Sequence, residues 1–293
     1  HRGRGVEPVG DWGRLGCLGC LCLRLVTPLE QAEYILTQVV SRHQRIVVWC
    51  SGGKDSLTLL HLLQPWAQRV CVLFNDVDGE WPGVRANLEQ CLQQWGFPEA
   101  RVIQPFITYE DYVARYGYPM EIVPSVMDGT GFESPFYVGG HKVSSWVHCT
   151  VQRFVLPLLA ASVELKAEAV VTGSRASDAP MFGRMGAILD ARETTGFIRY
   201  NPLIQWTAAE VYAYIDTHDI PLPAHYKIKR HVTYEFPDCM TCSWVPQHWK
   251  MLKKHYPEVY EKHWPKVAPM YREVAQHLDQ YRQALQTLPQ NKE

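Results

Sequence analysis

The chain has almost no net charge. It carries 29 Lys and Arg against 30 Asp and Glu in 293 residues, a formal balance of −1. That parity excludes a broad polycationic surface for gripping nucleic acid or an anionic membrane, although a local basic groove stays open. No apolar run approaches the roughly 18 to 20 residues needed to span a bilayer without interruption by charge or proline, so a cytoplasmic protein with no membrane partner is expected. Internal repeats and low-complexity tracts are also lacking, which sets aside solenoids and disordered linkers. Nine cysteines in so long a chain are too few for a disulfide scaffold. What is present is aromatic bulk: 10 Trp and 15 Tyr among 46% hydrophobic residues, the composition of a packed globule.

Hydrophobic periodicity orders the elements. Leu29, Tyr34, Ile35, Val39 and Val40 recur at helical spacing over residues 28–42, and Ile46, Val47, Val48 and Trp49 then form an uninterrupted apolar run typical of a buried parallel strand. A helix from Leu57 ends before Pro65, a strand follows over 69–74, a helix over 83–95 and a strand near 101–103. Glu168 to Thr172 is a further strand. This alternation predicts an α/β fold, a parallel sheet with helices on both faces, whose ligands sit beyond the carboxyl ends of the strands. Thr207 and Glu210 form a capping box that starts a later helix. The expected division is a poorly ordered leader over 1–26, holding Cys17, Cys20 and Cys22, one catalytic domain over 27–245, and a helical C-terminal extension over 246–293.

Ser51-Gly52-Gly53-Lys54-Asp55-Ser56 lies between a predicted strand and a predicted helix, the context that turns a glycine-rich match into a physical expectation. Glycines let several backbone N–H groups converge on one point, and the helix start adds attraction for an anion. Ser51 and Ser56 can donate from their hydroxyls and Lys54 can neutralise phosphate. The loop is not a Walker A motif, because the first glycine is missing and Asp55 follows the lysine.

These residues resemble the S-G-G-x-D-S loop of PP-loop enzymes (adenine nucleotide alpha hydrolase-like fold). The likeness over residues 45–245 is to the phosphoadenosine phosphosulfate reductase family. Phe74, Asp76, Glu80 and Pro82 match its F-x-D-T-G-x-E-F-P block, and Thr172, Gly173, Arg175 and Asp178 its T-G-x-R-x-x-E/D block. Trp146 to Thr150 with Pro157 is similar to its cysteine-bearing helix start. Asn201-Pro202-Leu203 with Trp206-Thr207 matches an architectural block. The resemblance implies an enzyme that binds an adenine nucleotide, either ATP or a sulfonucleotide with Mg²⁺, and performs sulfur-related chemistry on it. Ser51, Gly52, Gly53, Lys54, Asp55, Ser56, Asp76 and Gly173 would hold the nucleotide. Lys54, Asp55 and Arg175 would act in catalysis, with Arg153 and Arg175 receiving an acidic substrate; an ion pair with Asp178 is the structural alternative for Arg175.

Two departures qualify the likeness. No cysteine follows Cys242, so the C-terminal catalytic cysteine of the thioredoxin-dependent reductases is missing, and only Cys149 stands where the iron–sulfur branch carries a cysteine pair. Cys239 and Cys242 have the spacing of a two-thiolate chelate. With Cys149 brought close by the family fold, they would ligate a [4Fe–4S] cluster, or zinc in its place, with His148 as a fourth ligand or an ordinary histidine. Lys250, Lys253, Lys254, His255, Lys262 and Lys266 would give the tail a basic face or a merely solvated one. The competing reading is a non-catalytic nucleotide- or nucleic-acid-associated module with structural zinc.

Overall fold

The computed structural model describes residues 27–120, 137–177, 188–229, 239–242 and 246–287. The proposed leader and the triplet Cys17, Cys20 and Cys22 lie outside them, as does Asp178. The chain enters through α1 (Pro28–Arg42), capped by Thr27 and Glu30 in a reciprocal capping box. Its buried positions Ala32, Ile35, Leu36, Val39 and Val40 form one stripe that lies on the sheet. Next come β1 (Ile46–Cys50), α2 (Lys54–Leu63), β2 (Val70–Asn75), α3 (Val84–Trp95) and β3 (Glu99–Ile103). Then α4 (Tyr109–Tyr116), β4 (Tyr118–Met120), β5 (Tyr137–Val138) and β6 (His141–Ser145) lead to one long helical stretch. That stretch comprises α5 (Trp146–Thr150), a π-helical turn at Val151–Val155, and α6 (Leu156–Glu164). The remainder is β7 (Ala169–Thr172), β8 (Ile188–Asp190), α7 (Arg192–Thr195), β9 (Ile198–Tyr200), α8 (Ala208–Thr217), α9 (His225–Lys229), α10 (Pro246–His255) and α11 (Pro257–Thr287).

Six strands make the main sheet in the order β3-β2-β1-β7-β9-β8, parallel except for β8, which runs antiparallel to β9. β1 and β2 are buried along their whole length, which is why they read as unbroken apolar runs. One core cluster joins α1, α2, α3 and α8 to one face; the other face is covered by α6, where Leu158 packs with Val47, Trp49, Leu73 and Val170. The expected helices on both faces are therefore present. Strand order reverses between β1 and β7, and such a reversal opens a crevice at the carboxyl ends of the two strands.

One helix, Trp146–Glu164 with 19 residues, is long and apolar enough by length and composition to cross a bilayer, and the expected interruptions by charge and proline stand within it at Arg153 and Pro157. It packs on the sheet through Leu158 and buries Arg153.

The C-terminal helices also join the main core, through Trp249, Met251, Leu252, Val267 and Met270. Gly139 anchors α11 on the small β4-β6-β5 sheet: its N–H donates to the Glu273 carboxylate at 2.5 Å. With φ at +57° and a would-be Cβ only 2.5 Å from the Pro269 backbone, this position admits no side chain without a shift. Gly139→Ala is expected to cost about 2–3 kcal/mol, read as a lower urea midpoint at unchanged slope; an unaltered midpoint would show that the α11 contact contributes nothing.

Candidate functional site

The glycine loop leaves the tip of β1 in the crevice between β1 and β7. Gly52, at φ +69°, has its would-be Cβ 2.5 Å from Val84 Cγ1, so the start of α3 presses on a position that takes only glycine. Gly53 caps α2 without a side chain, leaving the amides of the first turn to outside acceptors. One of these is engaged: the Lys54 N–H donates to the Tyr226 hydroxyl at 3.2 Å. The same hydroxyl would lie 3.0 Å from a Cβ on Gly53. An oxygen supplied by the region of α9 thus sits where a bound anion would present one.

Beneath the loop lies a charge cluster. Lys54 is 2% exposed and Arg175 is 1% exposed, and both turn to one carboxylate. Lys54 Nζ is 2.6 Å from Asp55 Oδ2, and Arg175 Nε is 2.9 Å from Asp55 Oδ1. The three residues expected to act in catalysis are therefore brought together, but as an ion-pair triad tying the loop after β7 to α2. Gly173 makes this approach feasible, since a Cβ there would lie 3.0 Å from the Asp55 carbonyl carbon and 3.1 Å from the Ser56 nitrogen. In this structure its part is close packing against the loop. Ser56 donates its hydroxyl to Gly53 O at 2.9 Å and so braces the first turn of α2.

A small cleft opens beside the loop, lined by Ser51, Gly53, Asn75, Val77, Glu80, Trp81, Val84, Phe154, His225 and Tyr226. Trp81 and His225 stack at 4.6 Å and 18°. Asn75 is 2% exposed; its Nδ2 donates to Arg153 O at 3.2 Å while its Oδ1 is buried without a hydrogen-bond partner. A buried acceptor in that state is costly until a donor arrives. Burial, reinforced by neighbouring Asp76, pushes the Glu80 carboxyl up to about 7.

The acidic block after β2 divides its work. Asp76 is held by Arg85 Nη1 and Gln104 Nε2, each at 3.2 Å. Asp78 accepts the Tyr109 N–H at 2.6 Å and pairs with Arg153 Nη2. Arg153 is buried by the π-helical turn, donates from Nε to Ile107 O at 3.2 Å and reaches Cys239 Sγ at 3.8 Å. It thus braces three segments.

The cysteines are partly gathered. Cys239 pairs by a backbone bridge with Glu80, and Met240 N–H donates to Gly79 O at 2.7 Å, docking the Cys239–Cys242 turn on the cleft wall. Cys149 lies close enough to Cys239 that this neighbour, after burial, raises its thiol pKa well above the ordinary range. Among the described residues, however, no group of three or more His, Cys, Asp or Glu is placed to hold a metal ion. His148 is engaged with the Tyr112 hydroxyl at 2.8 Å and packs edge-on to Tyr116. As placed, the residues do not fit the three-thiolate centre that the resemblance implied. Lys250, Lys253, Lys254, Lys262 and Lys266 are exposed, with Lys253 over the Tyr260 ring at 5.7 Å.

A family model, the phosphoadenosine phosphosulfate reductase domain, matches residues 45–229. The chain belongs to that family. Within the family it is 26% identical over 196 residues to the phosphoadenosine 5'-phosphosulfate reductase of Gloeobacter violaceus, covering 66% of this chain and 71% of that one. It is 27% identical over 221 residues to the adenosine 5'-phosphosulfate reductase of Bacillus cytotoxicus, covering 69% and 74%. A shorter match, 39% over 71 residues, joins 22% of this chain to 27% of the tRNA-cytidine(32) 2-sulfurtransferase of Geotalea uraniireducens. Among solved structures, the phosphoadenylyl-sulfate reductase of Candida auris in a phosphate complex aligns with a TM-score of 0.47 at 20% identity, over 67% of this chain and 84% of that one.

The parts played by Tyr226, Asn75 and the Trp81–His225 stack are not legible in the sequence: Asn75 and Trp81 belong to the acidic segment after β2, but nothing in one sequence says that residues 225 and 226 fold back over residue 53. The turn at 239–242 is also locked from behind by His248, which is fully buried and donates from Nε2 to Met240 O at 2.6 Å. Burial pushes the His248 pKa from 6.5 down to about 4, partly offset by that hydrogen bond. The unfolded chain therefore takes up a proton below about pH 6.5 that the folded one refuses until about pH 4. Stability is full above the upper value and falls as pH drops through this window, by roughly 3 kcal/mol in all. Urea denaturation at several pH values should show that decline in the wild type and a much shallower one in His248→Gln; equal slopes would contradict the assignment.

Proposed function

We propose that this protein is a PP-loop enzyme that holds the phosphates of an adenine nucleotide on residues 51–56 and performs sulfur-related chemistry on it. The chemistry is either reduction of a sulfonucleotide or ATP-dependent adenylation with sulfur transfer. The observation that carries the reading is the Tyr226 hydroxyl on the Lys54 amide: the loop is already built to bind an oxygen at the crevice between β1 and β7. Family membership supports the sulfur part. Ser51 and the loop amides would take the phosphates, and the Asn75 Oδ1 would accept from a base amine or ribose hydroxyl in the cleft. Lys54 and Arg175 would act through Asp55, holding the loop in shape and lending it positive potential. A Mg²⁺ brought by the nucleotide would find Glu80 in the cleft, because Asp55 is already paired by Lys54 and Arg175 and Asp76 by Arg85. No step is assigned to a metal–sulfur centre. A cytoplasmic setting agrees with the absence of disulfides among the described cysteines.

Calorimetry with AMP, ATP and adenosine 5'-phosphosulfate, followed by assays for pyrophosphate, AMP and sulfite release, tests the proposal. Gly53→Ala, which places a methyl group in the cradle, should weaken nucleotide binding about ten-fold or more while leaving the fold intact. Sulfite would identify reduction, and pyrophosphate or AMP would identify adenylation. Binding equal to wild type in Gly53→Ala, or no nucleotide binding at all in the wild type, would end the proposal.

A further inference from the structure

Tyr226 holds the glycine loop at the point where a ligand of that loop would bind, and the two cannot share it. The Lys54 N–H donates to the Tyr226 hydroxyl at 3.2 Å, and the same hydroxyl fills the space over Gly53, 3.0 Å from a would-be Cβ. A backbone amide has one proton to donate, and no side chain caps the first turn of α2. An anionic oxygen drawn to that turn therefore meets the phenol oxygen on the same N–H.

A chain of contacts keeps Tyr226 in place. It is buried on α9, a short helix reached through Pro221 and Pro223, whose fixed backbone angles stiffen the approach. The Pro221 carbonyl accepts from Asn87 Nδ2 on α3 at 3.1 Å, which pins the segment beside the cleft. Beyond the pin, His225 stacks on Trp81, and Trp81 packs edge-to-face with His248 of α10 and with Tyr256. The path thus runs from α10 through Trp81 and His225 to the hydroxyl on the loop. Its last links are a ring stack and one neutral hydrogen bond, contacts weak enough to break and re-form. The loop itself is held by the buried ion pairs of Lys54 and Arg175 with Asp55, which are costly to open. Of the two parts, α9 is the one that can yield.

We propose that α9 is an autoinhibitory latch on the glycine loop. The Tyr226 hydroxyl stands in for a ligand oxygen on the Lys54 amide, and a nucleotide gains that amide only when His225 and Tyr226 withdraw from Trp81 and the loop. The latch rests on the nucleotide reading of residues 51–56 and adds that access to the loop is regulated from the C-terminal helices. Apparent affinity is then reduced by the share of molecules whose latch is closed.

Calorimetry with AMP and ATP on the full chain tests this, together with hydrogen exchange read by mass spectrometry. Tyr226→Phe keeps the ring and removes the oxygen, so it should bind AMP about three- to ten-fold more tightly than the wild type, the change expected when one neutral hydrogen bond stops competing. In the wild type, which needs no substitution, saturating AMP should slow exchange over residues 51–58 and speed it over residues 222–229. Equal or weaker AMP binding by Tyr226→Phe overturns the latch, because the hydroxyl would then be idle or would itself serve the ligand. Slower exchange over residues 222–229 on adding AMP overturns it as well, since α9 would be closing on the nucleotide. Both of those results leave the nucleotide reading standing. That reading fails, and the latch with it, if neither protein binds AMP or ATP.

Discussion

Two buried cations, Lys54 and Arg175, share the single carboxylate of Asp55, and the geometry of the glycine loop follows from that contact. Neither cation could remain buried unpaired, because removing an ion from water costs several kcal/mol that only a close counter-charge offsets. The carboxylate sits on the first turn of α2, while Arg175 comes from the loop after β7. Pairing them fastens together the segments that follow two neighbouring parallel strands, β1 and β7, at the point where strand order reverses. Gly173 completes the arrangement by letting backbone meet backbone. A triad of this kind adds little net stability over an apolar contact of equal volume, yet it permits one relative placement of the two loops and few others.

The wall facing the loop comes from distant parts of the chain. Trp81 follows β2, His225 and Tyr226 follow α8, and the turn at 239–242 is held to Gly79 and Glu80 by backbone hydrogen bonds. α10 then secures the turn through His248. The C-terminal helices are therefore continuous with the core and support the cleft from behind, which explains why their buried residues join the same hydrophobic cluster as α1 and α2.

The sulfur chemistry meets the structure at one point of tension. Cys149 and Cys239 are neighbours, yet Arg153 reaches the Cys239 sulfur and is itself bound to Asp78, so that position is occupied by a cation where a metal would be needed.

Much of the architecture was legible along the chain. The buried strands β1, β2 and β7, the helix stripe of α1 and the capping box of Thr207 and Glu210 are local patterns, dictated by hydrophobic period and backbone hydrogen bonding among near neighbours. So was the position of the glycine loop, because a loop between a buried strand and a helix must emerge at the strand's carboxyl end. The partners of each charge were not legible. Lys54, Asp55, Asp76, Arg153 and Arg175 were all named from the sequence, but whether a cation faces a ligand or a carboxylate depends on residues brought close by the crossing of the chain. Asp78 for Arg153 and Tyr226 for the Lys54 amide were settled only in three dimensions. Hydrophobic pattern is a one-dimensional property repeated many times over, whereas an ion pair is a single contact between distant points, and only the folded chain decides which points meet.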